Sequence, residues 1–248
     1  MILCVDVGNT AVKIGLVSKG RVVRRAVVES EAGERDVVRA CARVVRDARS
    51  LEASALSSVR PGKTVLVARA VSRATGLYPI VVNYRTPMPI EIAVRHPARV
   101  GTDRLCAACG ALSERARDAI VVDVGSAVTV NLIRNRVFLG GVILPGPATS
   151  LAALHAFTAQ LPRLDIDAPT PARIDDTESA MRWGALLSAA GGVRLAVAML
   201  DEHSGSRPKR YLTGGHAGRI GRWLPPTWHR EPDLTLLGLS RIARFSTT

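Results

Sequence analysis

The chain has 248 residues, 47% of them hydrophobic and 22% charged, which excludes a disordered chain and leaves room for one large core or two intimate halves. Its formal net charge is +13, yet only 4% of residues are aromatic, so ring-stacking platforms for single-stranded nucleic acid are scarce, which weakens a nucleic-acid reading of the charge. The positive charge is nearly all arginine, scattered from Arg21 to Arg244, with lysine only at Lys13, Lys19, Lys63 and Lys209. That scatter reads as codon usage rather than a nucleic-acid stripe, although a basic surface also draws in anionic substrates.

From the N-terminus, Ile2 to Val5 is a short apolar run, and Ala11 to Val17 and Val22 to Val28 resume it on either side of a Ser18-Lys19-Gly20-Arg21 turn. The pattern predicts a strand followed by a hairpin. Asp6 ends the first run too early for a signal peptide, and no apolar stretch approaches the ~20 residues of a membrane helix, so a cytoplasmic protein without a membrane partner is expected. A helix is predicted over 34–49, with Val37, Val38, Cys41, Val44 and Val45 on one face. Strands at 53–59 and 79–82 flank another helix, which makes an α/β unit. Pro87, Pro89 and Pro97 favour extended backbone over 84–99. A helix is then predicted from Gly101-Thr102-Asp103-Arg104 to Arg117, with Thr102 or Asp103 able to cap it. Within it Cys106 and Cys109 form a C-x-x-C, but no second such pair or histidine cluster completes a zinc site, so these cysteines, like Cys4 and Cys41, read as buried free thiols.

Ala119 to Val122 is again an apolar strand, and it runs into Asp123-Val124-Gly125-Ser126-Ala127 just as Ile2 to Val5 runs into Asp6-Val7-Gly8-Asn9-Thr10. The match is an internal duplication that divides the chain into halves at 1–116 and 117–248. The copies differ at one informative position, where Lys13 has only Val130 opposite it. Further along, a strand is predicted at 137–139 before Gly140-Gly141, with helices at 149–160 and 177–203. Asp175 and Glu178 have capping-box spacing ahead of the second of these. A strand at 210–213 meets Gly214-Gly215, and 234–242 closes the pattern.

The Asp-x-Gly-Asn-Thr turn carries the chemistry. Gly8 lets backbone N–H groups approach phosphate oxygens, Asn9 and Thr10 add short donors, and Asp6 offers a carboxylate for Mg²⁺. Lys13 projects from the next strand, where it would neutralise a transferring phosphate. One such turn is commonly only a β-turn; two in matching contexts point to an enzyme that moves phosphate from ATP. Asp103 and Arg104 together read as a general base and an anion clamp, or as a helix cap beside a surface arginine. The five histidines have no metal-ligand spacing.

Taken in order, Asp6 to Thr10 with Lys13, Gly101 to Arg104, Asp123 to Thr129 and Gly140-Gly141-Val142-Ile143-Leu144-Pro145-Gly146 resemble the type III pantothenate kinases. The resemblance continues through Thr158 to Pro162, Thr177, Ala180, Gly184, Thr213-Gly214-Gly215 and Leu234 to Leu239, nearly the whole chain. It implies an α/β architecture, the duplicated ribonuclease H-like fold of the actin-like ATPases and sugar kinases, with two similar halves and a central cleft. It also implies ATP-dependent phosphorylation of pantothenate, the first step toward coenzyme A. By the same resemblance Asp6, Val7, Gly8, Asn9, Thr10, Ala11, Val12 and Lys13 bind ATP with Mg²⁺, and Ser126 contacts phosphate. Asp123 holds a monovalent cation, K⁺ or NH₄⁺. Asp103 is the proton acceptor; Gly101, Thr102, Asp103, Arg104 and Thr177 bind pantothenate, and the protein is a homodimer. Ser126 replaces the customary threonine, Asn131 a customary aspartate, His216 an acidic residue and Val94 an aromatic one. The Asn131 change in particular bears on cation use. Two alternatives keep the fold: a regulatory protein that has lost catalysis, or a kinase for another small hydroxyl compound.

Overall fold

The computed structural model describes residues 1–48, 50–113, 116–170, 172–204 and 208–247. In chain order the elements begin β1 (Ile2–Val7), β2 (Ala11–Ser18), β3 (Arg21–Glu29), α1 (Glu34–Val45), β4 (Ala53–Ser58), α2 (Pro61–Thr75), β5 (Ile80–Val81), β6 (Glu91–Ile92) and α3 (Thr102–Ala111). They continue with β7 (Ala119–Val124), β8 (Ala127–Arg134), β9 (Val137–Pro145), α4 (Pro147–Phe157), α5 (Thr177–Ser204), β10 (Lys209–Thr213), α6 (Ala217–Ile220), β11 (His229–Arg230) and α7 (Leu234–Thr247). The chain forms two compact units: unit 1 is Met1–Arg117, Ile133–Leu139 and Asp233–Thr248, and unit 2 is Asp118–Leu132 and Gly140–Pro232.

Unit 1 is built on a five-stranded sheet of order β3-β2-β1-β4-β5. β1 lies between antiparallel β2 and parallel β4, and all six of its residues are buried, which is why it reads as an unbroken apolar run. The β2–β3 hairpin turns at Lys19 and Gly20, both with positive φ (47° and 74°), as a two-residue hairpin turn requires. α1 buries Val37, Ala40, Cys41 and Val44 against this sheet. It stops at Val45, short of the predicted end, because the backbone leaves the helix at Arg46 (ψ 131°) and turns left-handed at Asp47 (φ 61°); Arg49 lies outside the described residues. α2 starts on Pro61 and ends on Gly76 at φ 74°, the asymmetry expected of helix termini.

α3 is shorter than predicted, because Leu112 already has extended backbone; Glu114 and Arg115 are outside the described residues. Every residue from Leu105 to Ala111 is buried. α3 packs on α7 where two glycines meet: a Cβ on Gly238 would overlap the Cys106 carbonyl, and one on Gly110 would overlap the Leu234 carbonyl. Arg241 of α7 donates to the carbonyls of Cys109 (2.8 Å) and Gly110 (2.9 Å), filling acceptors that the end of α3 leaves open. The predicted extended segment 84–99 holds only β6 and a single 3₁₀ turn at Pro97–Arg99; β6 pairs in parallel with Val137 and Phe138 of β9.

Unit 2 carries the strand order β11-β10-β7-β8-β9. β9 is longer than predicted and passes through Gly140 (φ 88°) and Gly141 (φ 156°) as strand rather than loop. Gly141 is required there, since a Cβ would overlap the Val130 carbonyl. The cap of α5 is one residue later than predicted. Asp176, not Asp175, accepts from the Ser179 N–H at 2.7 Å, and the Ser179 hydroxyl lies 3.3 Å from the Asp176 N–H, a reciprocal cap of Asp-x-x-Ser form. Contrary to the expectation of no such stretch, the segment Thr177–Glu202 is long and apolar enough to cross a membrane by length and composition. Its Met181, Ala185, Leu186, Ala189, Val193 and Val197 nevertheless belong to the core of unit 2 with Ile120, Val122 and Val130.

Candidate active site

The first Asp-x-Gly turn sits at the carboxyl end of β1, the end of a parallel strand pair where α/β proteins place their ligands. Asp6 is buried and lies directly across from Lys13 in the β1–β2 ladder and from Ser57 in the β1–β4 ladder. The Gly8 N–H bonds the Ala11 carbonyl at 3.0 Å, closing the turn, and leaves the Asn9 and Thr10 residues exposed at its tip. Ser30 straps it from beside: its hydroxyl donates to the Gly8 carbonyl (2.8 Å) and its N–H to the Thr10 carbonyl (2.9 Å). Arg60 in turn donates to the Ser30 hydroxyl at 3.0 Å and pairs with Glu31 at 2.6 Å. Val7 and Val12 are core residues on the two arms of the turn.

The second set of predicted residues belongs to the same unit. Gly101 is the cap residue of α3, with no side-chain cap, so neither Thr102 nor Asp103 caps the helix from outside. Thr102 instead bonds β4: its Oγ1 lies 3.0 Å from Ser57 Oγ, accepts from the Ser58 N–H at 3.2 Å and donates to the Ser58 carbonyl at 3.1 Å. Asp103 Oδ1 accepts from the Arg104 N–H at 2.8 Å and would lie 2.5 Å from a Cβ on residue 101, so only glycine leaves the carboxylate its place. Burial raises the Asp103 carboxyl above its ordinary value, while the Arg104 N–H and charge, and more weakly the Lys13 charge, pull it back. A carboxylate with a raised pKa, at a helix start and in the field of Lys13, is suited to accept a proton near neutral pH. The Arg104 guanidinium stands over the Phe138 ring, 5.6 Å from its centroid, which holds the planar group in one orientation.

Beneath these groups is the Cys106 thiol, fully buried and pushed well up in pKa by burial, with Cys109, Asp6 and Asp103 acting in the same direction. Cys109 is pushed up to about 12 by burial. All four cysteines are free and buried, as the sequence indicated. Among the described residues, no group of three or more His, Cys, Asp or Glu side chains could hold a metal ion.

In unit 2 the second turn is braced by backbone. The Gly125 N–H bonds the Ala127 carbonyl (3.0 Å), the Gly146 N–H and the Thr149 hydroxyl both donate to the Ser126 carbonyl (3.0 and 2.6 Å), and the His216 N–H donates to the Val124 carbonyl (2.9 Å). Asp123 is half-buried against Gly214, whose φ of 99° and contact with the Asp123 carboxylate admit no side chain. Asn131 is buried and its amide donates to the Thr129 hydroxyl at 3.1 Å. Thr177 stands exposed at the first position of α5, lining a cavity of about 490 Å³ with Pro162, Asp176, Glu178 and Arg182. The structure thus gathers Asp6 to Lys13 with Gly101 to Arg104 in unit 1, and seats Asp123, Ser126 and Thr177 in unit 2. Sequence reasoning missed Ser30, Ser57, Arg60 and Phe138, for which composition and spacing carry no signal.

The family model for type III pantothenate kinase matches residues 2–198. A type III pantothenate kinase of Desulfovibrio desulfuricans is 36% identical over 255 aligned positions, covering 97% of this chain and 95% of the relative. Among solved structures, a ROK family glucokinase from Streptomyces griseus, in complex with glucose and AMPPNP, superposes with a TM-score of 0.56 at 14% identity, over 98% of this chain and 99% of the other. Component A of (R)-2-hydroxyglutaryl-CoA dehydratase from Acidaminococcus fermentans gives 0.58 at 17% identity, over 100% and 99%. At those identities the two likenesses show the fold, that of the actin-like ATPases and sugar kinases.

Proposed function

The chain belongs to the type III pantothenate kinase family, and we propose that it transfers the terminal phosphoryl group of ATP to the primary hydroxyl of pantothenate, with Asp103 accepting the hydroxyl proton. The observation that carries this reading is the grouping, in one unit, of a phosphate-type glycine turn, Lys13, and a half-buried carboxylate of raised pKa at the start of α3. As the substrate oxygen bonds to phosphorus and the bond to the ADP oxygen breaks, the proton passes to the Asp103 carboxylate. Lys13 and the turn from Asp6 to Val12 receive the phosphates, and Arg104, oriented on Phe138, pairs with the substrate carboxylate.

Mg²⁺, when bound with ATP, offsets the charge developing on the phosphates. Asp6 fits the role of its carboxylate anchor, being a buried acid at a strand end beside a glycine turn. In unit 2, Asp123 is assigned the monovalent cation, Ser126 a phosphate contact and Thr177 a pantothenate contact. The Asp123 carboxylate, a glycine-only approach at Gly214 and the nearby backbone carbonyls form a hard-oxygen setting that suits a weakly held K⁺ or NH₄⁺. Purified protein given MgATP and pantothenate should form 4′-phosphopantothenate, faster in K⁺ or NH₄⁺ than in Na⁺, as mass spectrometry of the product would show. No product with any of these cations would sink the proposal.

The homodimer belongs to this reading too. Leu154 and Phe157 (88% exposed) on α4, and Leu187 and Leu195 (74% exposed) on α5, leave large apolar side chains uncovered in unit 2. Leu195→Glu should therefore shift the protein from dimer to monomer in light scattering; an unchanged mass would remove α5 from the interface. The cytoplasm is the proposed compartment, with no membrane or nucleic-acid partner, in keeping with arginine scattered along the chain and an α5 whose inner face is core.

A further inference from the structure

We propose that Ser57 is a positioning residue for the phosphoryl transfer, a buried hydroxyl that locks the strand pair carrying the phosphate turn to the helix start carrying Asp103. The inference rests on the reading of Asp103 as proton acceptor. Ser57 is fully buried at the carboxyl end of β4, directly beside Asp6 in the parallel ladder. Its side chain turns toward α3 and meets Thr102 Oγ1 at 3.0 Å.

The direction of the hydrogen bonds follows from counting protons. Thr102 has one hydroxyl hydrogen, given to the Ser58 carbonyl at 3.1 Å, so Ser57 is the donor in the Ser57–Thr102 pair. Ser57 Oγ also faces the buried Cys106 thiol, which lies one turn further along α3. The result is a directed chain from Ser57 to Thr102 to the Ser58 carbonyl. It pins the first turn of α3 onto β4 from inside the unit.

The link matters because Asp103 has no other side-chain partner among its hydrogen bonds in the described structure. Its Oδ1 accepts from its neighbour's backbone N–H and packs under Gly101, so the place of the carboxylate is the place of the first turn of α3. A first turn free to shift relative to β1 and β4 would carry Asp103 away from the Asp6–Lys13 turn, and a displacement of about 1 Å at a reacting group can cost on the order of 10²-fold in rate. It would also admit water to the carboxylate.

The test uses the full-length protein and single-turnover as well as steady-state kinetics. Ser57→Ala should lower kcat by about tenfold or more while leaving KM for ATP within about twofold. It should also move the acid limb of the kcat profile to lower pH, because a better-hydrated Asp103 loses part of its raised pKa. Thr102→Val should do the same, the double variant should be no worse than the more severe single one, and Thr102→Ser, which keeps the hydroxyl, should restore most of the rate. Wild-type kcat and an unmoved limb in Ser57→Ala would overturn the proposal, as would a uniform loss of stability, kcat and substrate affinity with the limb unmoved. Full activity of Asp103→Asn would instead overturn the underlying assignment of the base.

Discussion

Asp103→Asn should lower kcat for pantothenate phosphorylation by about 10²- to 10⁴-fold, the range that a lost general base commonly costs. The amide keeps an oxygen to accept the Arg104 N–H, which now reaches Asp103 at 2.8 Å, so the start of α3 need not rearrange. ATP binding, assigned to the turn from Asp6 to Lys13, should persist in calorimetry. The pH dependence has a definite sign. Burial raises the Asp103 carboxyl above 3.8 in the folded protein, so the base is lost as pH falls through that raised value, and the acid limb of wild-type kcat should lie above the ordinary aspartate range. Stability runs the other way. A raised folded pKa contributes stability that is complete below the unfolded pKa and is lost as pH rises through the folded one. The substituted amide does not ionise, so above that window the variant should melt no lower than wild type. A variant that melts well below wild type, or that keeps more than a tenth of its rate, would contradict the role given to this carboxylate.

Gly238→Ala should destabilise the fold by about 1–3 kcal/mol or more, the usual cost of forcing a methyl into a packed contact. For a chain of this size that corresponds to a fall in Tm of roughly 2–4 °C per kcal/mol. The new methyl would meet the backbone carbonyl of Cys106, with the Gly110 N at 2.9 Å, so no side chain can swing away to make room. Gly110→Ala would strike the Leu234 carbonyl across the same contact, and the two changes should combine non-additively because both separate α3 from α7. Since Asp103 begins α3, activity should fall with stability. Gly191→Ala is the control: it is a helical glycine with nothing within 4 Å of the added Cβ, where alanine should be neutral or stabilise by about 0.5–1 kcal/mol. Equal melting of Gly238→Ala and wild type would show that the helices separate without cost.

What the sequence determined by itself was everything carried by neighbouring residues. The turn at Gly8, the hairpin at Lys19-Gly20 and the starts and stops at Pro61 and Gly76 rest on φ preferences and short-range patterns, and the structure has them where the residues require. The repeat of strand, aspartate, any residue and glycine at Asp6 and Asp123 identified both turns in the same way. Local reasoning failed by one residue at Asp176, where aspartate stands at both candidate positions and only the reciprocal bond with Ser179 selects between them. It ended β9 too early at Gly140-Gly141, where glycines that punctuate loops instead let the strand continue close to Val130. Tertiary structure alone decided the contacts between residues far apart in the chain. Ser57 reaches Thr102, Arg104 settles over Phe138, and α7 packs in unit 1 although it closes the chain. The physical reason is that a hydroxyl or a glycine has the same local preferences wherever it occurs, and only the partner brought to it by folding makes one serine a surface residue and another the lock beneath a carboxylate.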